Sequence, residues 1–258
     1  MTSTTGRVLV AVDADAQLAK LAAYWAAPYP DIMGRMPGRL AGSAHDQLVP
    51  DGIENPYWQI VRQVPLDTIT NMYGDARPEP SAYFYRRGDP EMLVERHSLS
   101  TTFSWSVCSP GDIAWIRERL RGRGVVEPGA GLGYWAWQLR QAGTDVVAYD
   151  PRDPSENNYV SREPWTAVLR DDHDAVKHHG DRSMLLCWPS YGEQWAEWSL
   201  ASYKGDQVFY AGEGPGGCCA DDGFFDLLDA EWDEGESCPR HVSFSGIHCY
   251  LTEYRRKR

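Results

Sequence analysis

Glu127, Gly129, Gly131, Gly133 and Asp150 are the residues whose types and spacing say most about chemistry. The first four lie in Val125-Val126-Glu127-Pro128-Gly129-Ala130-Gly131-Leu132-Gly133, and the last closes Asp145-Val146-Val147-Ala148-Tyr149-Asp150. Glycines in such a turn let backbone approach a ligand where a Cβ would stand in the way, and they accept positive φ. A carboxylate at the end of the following strand can accept both hydroxyl hydrogens of a ribose. The chemistry on offer is therefore the holding of a ribose-bearing ligand.

Such residues need a strand, a turn, a helix and a second strand to position them. Val125, Val126 and Glu127 read as the first strand. Trp135, Leu139 and Ala142 fall on one face of a helix that Gly143 ends, and the second strand closes on Asp150. A dinucleotide fold asks for G-x-G-x-x-G, and Gly129-x-Gly131-x-Gly133 departs from that spacing.

The pattern Glu127-x-Gly129-x-Gly131-x-Gly133 resembles motif I of class I S-adenosylmethionine (SAM) methyltransferases, and Asp150 stands where that family keeps its ribose-binding acid. The resemblance covers about residues 110–258. It implies a Rossmann-like seven-stranded α/β sheet whose last strand inserts antiparallel, with SAM as cofactor. On this reading residues 109–258 form the methyltransferase-like domain and residues 1–108 an N-terminal cap or substrate region. The implied cofactor set is Glu127, Gly129, Gly131, Gly133 and Asp150, with Trp188 after the fourth strand. Asp172, beside Asp171, stands where the family often keeps an acid for the adenine amino group. A plain charged turn is the alternative there.

The remaining elements follow from pattern. Ser109-Pro110-Gly111-Asp112 is a helix-start box leading to a helix that ends near Gly122. Trp165 to Leu169 reads as a third strand, Met184 to Trp188 as a buried fourth and Gln207 to Ala211 as a fifth. Tyr191, Trp195 and Trp198 have helical spacing, as do Phe224, Phe225, Leu228 and Trp232. Val242-Ser243-Phe244 and Tyr250 to Tyr254 alternate like a terminal hairpin.

Ligands in open α/β sheets lie beyond the carboxyl ends of the strands. That rule gathers Glu127 to Gly133, Asp150, Asp171 or Asp172, Trp188 to Tyr191 and Glu213. Methyltransferases acting on amino groups often carry Asp or Asn, two prolines and an aromatic after the fourth strand. Here the loop is Trp188-Pro189-Ser190-Tyr191. Loss of the acid or amide points away from nucleobases and towards a small-molecule pocket. Tyr191, Glu213 and His248 are the candidate catalytic residues, the last two as general bases for a hydroxyl acceptor. Each of those two also reads as a structural residue.

A weaker resemblance is to the methyltransferase-like aziridine-forming enzymes of azinomycin-type biosynthesis. It implies a bacterial secondary-metabolite enzyme in which a carboxylate deprotonates an amine that closes a ring, with no methyl transfer and no need for SAM. The acidic rim would suit a cationic amine, free or bound to a carrier protein, and a small protein partner is a further implication.

Composition sets outer bounds. The 258 residues carry a net charge of −12, which argues against a nucleic-acid partner. No apolar run spans a bilayer and no secretion signal opens the chain, so a soluble, cytoplasmic protein is expected. The six cysteines form no Cys-x-x-Cys, and no metal site is expected. Residues 14–27 read as a helix. Residues 28–105 are rich in Pro, Gly and Tyr, and their aromatics (Tyr57, Trp58 and Tyr83 to Tyr85) line a pocket or fill the core of a cap. His45 and Asp46 are weaker catalytic candidates.

Overall fold

The computed structural model describes residues 47–62, 66–70, 76–80, 96–160, 163–244 and 247–258. The helix expected over 14–27, His45, Asp46 and Tyr83 to Tyr85 lie outside these residues.

Helix α1 (Pro56–Val61) precedes an antiparallel pair, β1 (Leu66–Thr70) and β2 (Ala76–Pro80). Helix α2 (Arg96–Thr102) and helix α3 (Pro110–Leu120) follow. The main sheet is built from β3 (Val125–Pro128), β4 (Val146–Tyr149), β5 (Ser183–Cys187), β6 (Gln207–Gly212), β7 (Trp232–Ser237) and β8 (Tyr250–Arg256). Helices α4 (Tyr134–Gln141), α5 (Trp195–Ser202) and α6 (Asp222–Glu231) connect them.

The order across this sheet is β4-β3-β5-β6-β8-β7. Strands β3 to β6 run parallel, and β8 inserts antiparallel between β6 and β7. This is the Rossmann-like arrangement expected of a class I methyltransferase sheet, with the switch in strand order falling between β3 and β5. Alternation along the strands serves two layers. Val125, Leu185 and Phe209 enter the core on one face, and Val126, Leu186 and Tyr210 the core on the other.

Helix α3 begins as expected. Ser109 Oγ accepts from Asp112 N at 3.1 Å, and Asp112 Oδ2 accepts from Ser109 N at 2.9 Å. The buried Asp112 also meets His241 Nδ1 at 3.0 Å, and His241 Nε2 meets Cys249 Sγ at 3.3 Å.

Three expectations need correction. The third strand is reduced to one parallel bridge between Tyr149 and Leu169, so among the described residues the sheet has six strands. Trp165 explains the loss: its ring stacks on Trp137 at 4.9 Å and on Phe103 at 5.4 Å, and its Nε1 donates to Thr102 O. Phe103 in turn stacks on Tyr57 at 4.9 Å. This column of rings draws the chain off the sheet edge. The partner of β8 is Trp232–Ser237 rather than Val242 to Phe244, because α6 stops at Glu231 and Trp232 opens the strand. Tyr191 lies ahead of α5, and Trp198 on that helix is exposed.

Residues before 109 share the core of the sheet. Tyr57, Trp58, Leu99 and Phe103 pack in one cluster with Trp135, Leu139 and Leu185. Among the described residues no helix is long and apolar enough to cross a membrane.

Candidate functional site

A cavity of about 400 Å³ opens at the carboxyl ends of β3, β4 and β5. Its floor is the turn after β3. Gly129, Gly131 and Gly133 have φ of +64°, +53° and +66°, a region that L side chains rarely enter. A Cβ on Gly129 would lie 2.5 Å from Trp195 Cη2, and one on Gly133 would lie 2.7 Å from Val168 Cγ2. Gly131 has room for a Cβ, with Val160 Cγ1 at 3.6 Å, so the backbone angle is what selects glycine there.

Asp150 closes the turn from the next strand. Its Oδ2 accepts from Gly131 N and its Oδ1 from Arg152 N, both at 2.9 Å. Each carboxylate oxygen keeps further acceptor capacity. The acid thus braces the turn and remains able to receive hydroxyl hydrogens from the cavity.

Glu127 is buried at the end of β3 and also lines the cavity. Burial pushes its carboxyl up to about 8; the Ala136 N–H and the Arg140 charge pull it down, and Asp150 adds to the rise. Its Oε2 has no hydrogen-bond partner. A buried carboxyl with a free oxygen beside a cavity is equipped to receive a donor, above all a cationic one.

Aromatic and imidazole rings form the walls. His173 stacks on Trp195 at 4.8 Å, and burial lowers its pKa, which favours the neutral ring. Trp188 takes a positive φ of +49° and lines the cavity, with its backbone N–H donating to Ala211 O at 2.7 Å. Tyr191 lines the cavity too and is largely exposed.

Of the residues singled out from sequence, the fold brings Glu127, Gly129, Gly131, Asp150, Trp188 and Tyr191 to this cavity. Gly133 caps α4 just behind it. Three others do not line it. The buried Glu213 accepts from Cys218 N at 2.7 Å and from His248 N at 2.8 Å, so both carboxylate oxygens hold backbone. His248 is exposed beside it. Asp172 accepts from His173 N at 2.7 Å and caps a 3₁₀ turn, His173–His178. Among the described residues no group of His, Cys, Asp and Glu is placed to hold a metal ion.

The sequence reading passed over Arg96, Ser100, Ser104 and Trp105, all of which line the cavity. They come from α2 and the segment after it, where no apolar repeat marks an element. The available signal was Leu99 and Phe103, which are spaced i,i+4 and buried.

No protein-family model matches this sequence, nor does any curated protein. Among solved structures, the chain is similar to the magnesium protoporphyrin IX methyltransferase of Synechocystis PCC 6803 with bound SAM (13% identity, 56% of this chain and 76% of that one, TM-score 0.37). It is also similar to the 1,6-didemethyltoxoflavin-N1-methyltransferase of Burkholderia thailandensis (19% identity, 58% of this chain and 77% of that one, TM-score 0.38). A third is the glycopeptide N-methyltransferase MtfA with S-adenosylhomocysteine (13% identity, 57% of this chain and 89% of that one, TM-score 0.38). Likeness at these scores says nothing of this chain's activity.

Proposed function

We propose that this chain is a SAM-dependent methyltransferase acting on a small molecule. One observation carries the reading. Three left-handed glycines are braced by Asp150 at the switch point of a parallel sheet, and they floor a cavity into which the buried Glu127 presents an unpartnered oxygen.

The residues present fit the cofactor. Asp150 would take the ribose hydroxyls, and the bare backbone from Gly129 to Gly133 would admit the amino-acid part. Glu127 Oε2 would accept from the ammonium group. When bound, SAM supplies a methyl group already activated by its sulfonium. The protein's task is then to align the acceptor and exclude water, and Trp105, Trp135, Trp188 and Trp195 line the cavity for that purpose. A cavity of this size falls within the range of small-ligand sites, roughly 300–1,000 Å³. Neither Glu213 nor His248 is placed to take a proton from an acceptor inside it, so the reading rests on alignment and not on a dedicated base.

The ring-closing alternative draws on the same Glu127. A carboxyl raised to about 8 suits a general base, and turnover would then proceed without SAM.

Calorimetric titration with S-adenosylhomocysteine (SAH) separates the two. The methyltransferase reading expects saturable binding by the wild type and a loss of about tenfold or more in Asp150→Asn, which keeps the shape and removes the charge. Absence of binding by a folded wild type overturns it and leaves the ring-closing reading to be tested on amines.

A further inference from the structure

Arg96 opens α2 and reaches the cavity. Its Cζ lies 5.7 Å from the ring centroid of Trp105, 5.3 Å from that of Trp188 and 5.6 Å from that of Phe244. Three aromatic faces hold the guanidinium in place, yet its Nε and Nη2 are buried without any hydrogen-bond partner. No ion pair among the described residues includes it.

One more orphan group lies beside it. Ser100 is one turn further along α2, at the i,i+4 position that shares a face with Arg96. Its Oγ is buried and unpartnered, and it too lines the cavity. Tyr57 is fully buried behind them, outside the cavity lining, with its hydroxyl towards Ser100. Burial pushes that phenol up and the Arg96 charge pulls it down, so the phenol stays protonated and within the field of the guanidinium.

A guanidinium keeps its charge at any physiological pH. Contact with ring faces recovers only part of the hydration it loses on burial. A buried cation left without a counter-ion is costly, and native proteins pair such groups. The Nε–H and Nη2–H bonds of one guanidinium point the same way, and that parallel pair matches the two oxygens of a carboxylate. The Ser100 hydroxyl adds a donor, and neither it nor the Tyr57 phenol brings a fixed negative charge. The cluster therefore lacks one thing, a planar anion.

We propose that Arg96 and Ser100 form a carboxylate-binding subsite for the substrate, so that the methyl acceptor is an apolar, ring-bearing acid. Its rings would lie against Phe103, Trp105 and Trp135, which line the same cavity. The inference rests on the methyltransferase reading only in assigning the glycine turn to SAM. Arg96 packs on Trp188, after β5, and on Phe244, ahead of β8. The glycine turn and Asp150 belong to β3 and β4, on the other side of the switch point. The charge is opposite to that of the cationic amine expected from an acidic rim: Glu127, Asp150 and Glu193 do line the cavity, but Arg96 stands on the β5 side of the switch point, away from the glycine turn.

A carboxylate could also come from the methionine part of SAM, and the test must tell the two sources apart. Benzoate, 1-naphthoate and indole-3-acetate would each be titrated beside the uncharged amide of the same skeleton, with and without saturating SAH. SAH and 5′-methylthioadenosine, which lacks the amino-acid part, would be titrated separately. The proteins are the wild type, Arg96→Met and Arg96→Lys, each checked by thermal melting. The expected result is a carboxylate preferred over its amide by about tenfold or more in the wild type, a preference abolished in Arg96→Met and only partly kept in Arg96→Lys, with SAH affinity unchanged. Should Arg96→Met fail to fold, the partial loss in Arg96→Lys carries the comparison. No preference in the wild type, or full preference in the variants, overturns the proposal. So does an SAH affinity that falls in the variants while that for methylthioadenosine holds, for Arg96 then reads the cofactor. Failure of the wild type to bind SAH sinks the cofactor reading alone, since the acid–amide comparison is also made without it.

Discussion

Single residues in this site are set by what surrounds them and not by their type. Glu127 is an ordinary acid in the sequence, and burial makes it a group that titrates near 8. The sign of its effect on stability follows. The carboxyl is favoured in its protonated form when folded, so its contribution is fully present below the unfolded value near 4.5 and is lost as pH rises through about 8. Denaturant melts at pH 5 and pH 8.5 should therefore show Glu127→Gln gaining on the wild type with rising pH, by about 1–3 kcal/mol at the upper end. A constant difference across that range would contradict the argument. The glycines and Asp150 were legible because their roles are local: a turn, the strand before it and the strand after it. Glu213 misled because its direction depends on the Cys218 and His248 backbones, and neither contact leaves a trace in its own neighbourhood of sequence.

At the scale of elements, the aromatic column decides more than strand propensity does. Trp165 to Leu169 has the composition of a strand, and one bridge at Leu169 is all that remains of it. Side-chain pattern alone cannot say whether Trp165 faces a sheet neighbour or a ring stack. The stack wins because it joins Tyr57 of α1, Phe103 beyond α2 and Trp137 of α4 in one continuous contact. Trp165→Ala should cost about 3 kcal/mol in denaturant unfolding, the low end of the range for a core aromatic, because Trp165 is half-buried. Hydrogen exchange should localise the damage, with protection lost in α2 before β3 or β5. Equal loss across the sheet would show that the column does not hold the N-terminal helices in place. Those helices escaped detection for the same reason: they are short, and their apolar residues answer to partners far away in the chain.

At the scale of the whole molecule, contacts of long sequence separation tie described parts together. One joins its middle to its end: Asp112 in α3 meets His241, which meets Cys249 ahead of β8. Burial opposes a charge on His241, but Asp112 and Cys249 together outweigh it and lift the ring to about 10. Its stabilising contribution is complete below the unfolded value near 6.5 and disappears as pH rises through about 10. Melting temperature should fall between pH 7 and pH 10.5 more steeply in the wild type than in His241→Gln, and parallel curves would refute the assignment. An α/β sheet was legible at this scale from the alternation of strands and helices, and the antiparallel insertion of its last strand from the family resemblance, whereas the charge lining the cavity was not. Glu213 has a last consequence of its own. One carboxylate grips the Cys218 and His248 backbones, and the cavity wall includes Cys218 and the neighbouring Ile247. Two loops far apart in the chain are thereby riveted into a single jamb, so any widening of the entrance on that side must swing both together or break the rivet first.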